Sequence, residues 1–126
     1  MTGDMHLLQQ SQAFLARLSR QDSRLLGAFL VSADGLLVAH QLSASDHIDR
    51  IAAMAAALHA LGKEIGVALV LGEYSVLHVR LRNGEVYLIG AGSYTLAIIS
   101  QAELEPAFLE AVSRQAGSQF SRGIEA

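Results

Sequence analysis

Between Ile48 and Leu69 apolar and small residues return at alternating steps of three and four: Ile48, Ile51, Ala55, Leu58, Gly62, Ile65 and Leu69. That period belongs to an α-helix, since a strand alternates every second residue. We read one helix from Asp46 to about Leu71, with Ser43 or Ser45 as its cap and acidic residues in its first turn. Ala52, Met54, Ala56 and Leu61 widen the stripe beyond what one sheet face requires. Gly62 and Gly66, each costing about 1 kcal/mol relative to alanine inside a helix, are expected to permit close backbone approach. A helix this apolar needs more than one surface to cover it.

The remaining pattern supplies the first of those surfaces. His6–Ser19 reads as an amphipathic helix with Leu7, Leu8, Phe14, Leu15 and Leu18 near one face. Residues 27–40 read as a hairpin, two apolar runs joined at Ser32–Gly35, where Asp34-Gly35 is a strong turn signal. Both runs are continuous, which predicts central strands buried on two faces. Tyr74–Leu81 alternates, with Leu77, Val79 and Leu81 on one face and Tyr74, Val76, His78 and Arg80 on the other. Asn83-Gly84 turns the chain into a strand from Glu85 to Ala91, and Gly92-Ser93 turns it into a last, nearly unbroken apolar strand, Tyr94–Ile99. Ser100 and Glu103 have capping-box spacing, but Pro106 would break a helix begun there, so the last helix is placed from Pro106, burying Phe108, Leu109 and Val112. The polar residues 117–126 are expected to form a frayed tail. The order is α-β-β-α-β-β-β-α, an α+β domain (α/β in the broad sense) whose five-stranded antiparallel sheet carries helices on both faces.

Charge and composition then limit function. Charged residues are 17% of the chain, below the usual quarter, while apolar residues are 52%. Such a surface suits a protein covered by another chain. The net charge is −3, and the nine basic residues are scattered without a stripe, which disfavours nucleic acid. No run is expected to serve as a membrane span, which needs roughly 20 apolar residues, and the first residues show no secretory pattern. With no cysteine in the chain, disulfides and thiol chemistry are excluded, and a cytoplasmic location is expected.

No constellation for chemistry emerges. His47 and His59 lie on one helix about 18 Å apart, too far to share a metal within one chain, and no HExxH spacing occurs. Glu103, Glu105 and Glu110 flank the last helix, where capping and solvation explain them. There is no nucleophile elbow, and Gly90-Ala-Gly92 joins two strands instead of opening a helix, so it cannot cradle a phosphate. No catalytic residue, metal or cofactor is expected. Tyr87, Tyr94 and His78 are the only candidates for an internal ligand pocket. The long helix and the strand from Tyr74, a candidate open edge, suggest a twofold interface instead.

Taken together, GAFLVSADGLLVAH, the alanine-rich ASDHIDRIAAMAAALHALGKEIG, and YSVLHVRLRNGEVYLIGAGSYTLAIIS before a closing helix resemble the roadblock domain family. That family includes dynein roadblock light chains, subunits of lysosomal scaffolds and bacterial regulators of Ras-like GTPases. The resemblance covers about residues 6–116. It implies a sheet with the second helix on one face and the first and last helices on the other. It also implies dimers in which second helices pack together and third strands pair. Carried onto this chain, it places Ile51, Met54, Ala55, Leu58, Gly62 and Ile65 at the helical seam and Tyr74, Val76, His78 and Arg80 on the pairing strand. The function implied is a non-catalytic homodimeric adaptor or regulator of a small Ras-like GTPase, or else a scaffold subunit of a signalling or motility complex. Arg50, Arg80 and Arg82 lie near the platform, and none is assigned as an arginine finger.

Overall fold

The computed structural model describes residues 2–42 and 47–125. Its elements are α1 (Thr2–Ser19), β1 (Leu25–Ser32), β2 (Leu37–Leu42), α2 (Ile48–Ala68), β3 (Leu77–Leu81), β4 (Gly84–Ala91), β5 (Tyr94–Ser100) and α3 (Pro106–Glu125). The strands form one five-stranded sheet in the order β2-β1-β5-β4-β3, antiparallel at every junction. The order of elements along the chain and the five-stranded antiparallel sheet are those expected from the pattern.

The three central strands are apolar on both faces because both faces are covered. Ala28, Leu30, Leu96, Ile98, Tyr87 and Ile89 point into a core shared with α1 and α3, where Phe14, Leu15, Leu18, Val112 and Phe120 meet them. Phe29, Val31, Ala97 and Leu88 point the other way, onto Ala52 and Ala55 of α2. Phe14 and Phe120 stand edge to face at 5.3 Å between ring centroids, fastening α1 to α3.

Several expectations need correction. β2 is an edge strand, although its run of apolar residues suggested a central one. Its side chains are covered nonetheless: Val38 and Ala39 join the core beneath α1, and Leu37 joins the core beneath α2. Burial on the faces and hydrogen bonding at the edge are separate matters, and only the first shows in hydropathy. The β3–β4 turn is Arg82-Asn83, with Leu81 opposite Gly84, so Gly84 belongs to the strand. Gly35 and Gly92 do supply positive φ, 85° and 67°, in the other two hairpin turns. α3 starts at Pro106, where a missing amide costs nothing, but it continues through the residues expected to fray, and Phe120 on it is 1% exposed. The cap proposed at Ser43 or Ser45 falls outside the described residues. His47 stands at the N-cap position and makes no side-chain capping bond.

α2 ends earlier than its apolar period. Val70 donates its amide to the carbonyl of Val67 (3.1 Å) and Leu71 to that of Gly66 (2.9 Å), a Schellman closure. The residue that reverses the chain is Val70, at φ 56°. Glycine normally holds that position, and a β-branched residue there is strained by about 1–2 kcal/mol. The hydrophobic period continues through Leu71 because those residues stay apolar, not because they stay helical.

Candidate functional site

α2 lies on the sheet through its smallest residues. Ala52, Ala55, Gly62 and Gly66 are its buried positions. At Gly62, an added Cβ would stand 2.9 Å from both Leu77 Cδ1 and Tyr74 Cε2; at Gly66, 1.9 Å from the Gly72 carbonyl oxygen. Close seating of the helix on the segment leading into β3 therefore requires both glycines, as their place in the stripe suggested.

That seating fixes which side of α2 looks outward. Ile51 and Leu58 are partly buried against the core beneath the helix, with Ala55 and Gly62. Met54 (55% exposed) and Ile65 (58%) point to solvent, joined by Leu61 (56%). The expected seam residues thus divide: Met54 and Ile65 lie on the free face, while Ile51, Ala55, Leu58 and Gly62 serve the protomer's own core. By length and composition α2 is also apolar enough to cross a membrane, contrary to the expectation drawn from sequence, with 17% of its apolar window buried. Its hydropathy is explained by two apolar faces, one on the sheet and one free.

The strand residues divide as well. β3 begins only at Leu77, so the alternation does not reach back to Tyr74. Tyr74 turns toward α2, where its hydroxyl is hydrogen-bonded to Nδ1 of His59 and the two rings stand 5.4 Å apart, edge to face. Burial pushes the Tyr74 hydroxyl up to about 12, and burial, then the nearby Lys63 charge, lowers His59. Val76, on the opposite side, packs against the α1/α3 core. His78 and Arg80 face that same side from β3 and converge on Glu85, which is 7% exposed. His78 Nε2 is 2.5 Å from Glu85 Oε1, Arg80 Nε is 3.5 Å from it, and His78 stacks on Tyr87 at 4.2 Å. Burial would raise the Glu85 carboxyl, but the His78 hydrogen bond and the Arg80 charge outweigh it and hold it below the ordinary range. Arg80 also pairs with Glu103.

These groups are satisfied internally. Tyr87 accepts the Leu104 amide at 2.9 Å and donates to Glu85 at 3.4 Å, and among the described residues no buried side-chain nitrogen or oxygen lacks a partner. An open groove of about 590 Å³ runs between β3 and α3, with Val76, Tyr87, Leu104 and Leu109 among its lining residues. Among the described residues no three of His, Asp and Glu gather where a metal ion could be held.

The two sheet edges differ. Along β2 the register shifts between Leu30 and Val31, leaving Val38 as a bulge that blunts the edge. β3 pairs with β4 in unbroken register from Leu77 to Leu81, and its other side is free. An apolar helix face and a regular open edge therefore lie side by side, joined by the α2–β3 corner.

Residues 13–100 match the sequence profile of the Roadblock/LC7 domain. The chain belongs to the Roadblock/LC7 family. Solved structures agree in fold. A Roadblock/LC7 domain from Streptomyces avermitilis superposes with a TM-score of 0.81 at 22% identity, covering 91% of this chain and 98% of the other. MglB of Myxococcus xanthus gives 0.79 at 17% identity, covering 92% and 95%. The gliding protein MglB of Thermus thermophilus gives 0.66 at 14%, covering 98% and 90%. No curated protein matches the chain by sequence.

Leu61, read into the stripe but not among the expected seam residues, lies on the exposed side of α2 with Met54 and Ile65. Sequence reasoning missed the exposed Leu81 and the run from Val67 to Leu71. The signal was present: no charged residue occurs from Ile65 to Gly72.

Proposed function

We propose that this roadblock-family chain is a non-catalytic, cytoplasmic, homodimeric adaptor or regulator of a small Ras-like GTPase. Two copies meet through the outer face of α2 and the free edge of β3. The observation that carries this is the pairing of an exposed apolar stripe, Met54, Leu61 and Ile65, with the one sheet edge left regular. A twofold axis beside β3 would extend two sheets into one and lay α2 against its copy in the same step. The seam then uses Met54, Leu61 and Ile65, while His78 and Arg80 ride on the pairing strand. Family membership supports the GTPase half, because roadblock domains include bacterial regulators of Ras-like GTPases. The scattered basic residues give no support to a nucleic-acid partner.

The test is affinity capture by the full chain from its host's lysate loaded with GDP or a non-hydrolysable GTP analogue. A small GTPase enriched with one nucleotide supports the proposal. Stable partners insensitive to nucleotide would favour a scaffold in a signalling or motility complex. Repeated capture without any GTPase would overturn the regulatory role.

A further inference from the structure

The α2 stripe alone is small for a stable association. Its three outward side chains expose on the order of 300 Å², where a standard interface takes about 800 Å² from each partner. The free edge of β3 contributes part of the remainder, and the α2–β3 corner adds to it. Val67 (79% exposed), Leu69 (61%), Val70 (87%) and Leu71 (76%) add roughly 500 Å², continuous with Ile65 and unbroken by charge. The Schellman hydrogen bonds hold Val70 in its left-handed backbone, and its side chain is left 87% exposed.

We propose that this corner is a clasp for a second copy of the chain, closing on the far end of the partner's β3, and that the strain at Val70 is retained because it presents the clasp. The inference rests on the homodimer proposed above. Its geometry follows from symmetry. The corner is seated at the start of β3, with Gly66 against Gly72 and Gly62 against Tyr74 and Leu77. Leu81, 56% exposed on the α2 side of the sheet, stands at the other end of the strand, four residues and about 13 Å away. Within one chain the two never meet. Antiparallel pairing of β3 with its own copy brings the end of each strand beside the start of the other, so each Leu81 comes under the partner's corner and both clasps close at once. A different chain without that symmetry would satisfy only one.

The experiment is sedimentation equilibrium on the full chain, wild type beside Val70→Gly, Val70→Asn, Leu81→Ser and the Val70→Asn/Leu81→Ser double variant. Thermal melts at a dilution where each is monomeric accompany it. Glycine and asparagine both accept the left-handed backbone, so the fold is kept. Both Val70 variants should weaken self-association at least tenfold while melting no lower than wild type, and the double variant should lose less than the product of the single effects. Wild-type affinity in both Val70 variants would overturn the clasp while leaving the α2/β3 dimer intact. Strictly multiplicative losses would overturn the Val70–Leu81 contact. A wild-type chain that stays monomeric throughout would instead remove the dimer on which the clasp rests.

Discussion

Replacing Gly66 by alanine tests whether α2 is seated on the β3 approach as described. Intrinsic propensity favours alanine over glycine in a helix by about 0.8–1 kcal/mol, so the substitution would stabilise an unobstructed position. Gly117 on α3 is such a position: an added Cβ meets nothing within 4 Å. At Gly66 the same atom would stand 1.9 Å from the Gly72 carbonyl oxygen and 3.1 Å from its carbon. Both are backbone atoms, so no side chain can swing aside, and either the last turns of α2 or the Gly72 corner must move. Overpacking of this kind costs typically about 1–3 kcal/mol, and an overlap with backbone belongs at the upper end. After the propensity gain, Gly66→Ala should destabilise by about 2 kcal/mol, and Gly117→Ala should stabilise by up to about 1 kcal/mol. Gly62→Ala falls between, since its neighbours at 2.9 Å are side-chain atoms of Leu77 and Tyr74. Urea unfolding at one fixed protein concentration gives the three midpoints, provided the slopes agree. A Gly66→Ala protein as stable as wild type would refute the seating, and with it the assignment of α2's outer face.

Other expectations concern the protomer. Asp22 accepts from the Arg24 side chain and amide, which hold its carboxyl at about 2, below its ordinary value of about 4. That stabilisation is present above the unfolded value and is lost as pH falls from about 4 towards 2. Asp22→Asn should therefore flatten the decline of stability across that window; an unchanged acid profile would contradict the assignment. Tyr87→Phe leaves the Leu104 amide, bound at 2.9 Å, without its acceptor and should cost about 1–3 kcal/mol in denaturant unfolding. A loss under about 0.5 kcal/mol would mean that the amide has another partner.

What was legible in the sequence was whatever local period records. The continuous runs at β1 and β5 and the three-four period of α2 gave the elements, and Pro106 marked the start of α3. β2 was misplaced because hydropathy reports covered faces, not paired edges. Tyr74 was assigned to the wrong face because alternation was extended past Leu77, where the strand begins. The period of α2 gave its sheet-facing side, since Ile48, Ile51, Ala55 and Leu58 meet the core beneath the helix and Gly62 is buried there. It did not separate the outward side, because Met54, Leu61 and Ile65 are as apolar as the residues turned inward. The Schellman closure was hidden because valine occupies the place where glycine would have announced it.

Static light scattering on the full chain, across about 1–100 µM, tests most directly whether a second copy covers that outer face. Wild type should give twice the chain mass, and Met54→Asp or Ile65→Asp should give folded monomers with unchanged melting when compared at dilution. Leu58→Asp, directed at the chain's own sheet, should lower the melting temperature instead. A wild-type protein at single-chain mass throughout, or both outward aspartates still dimeric, would contradict the account.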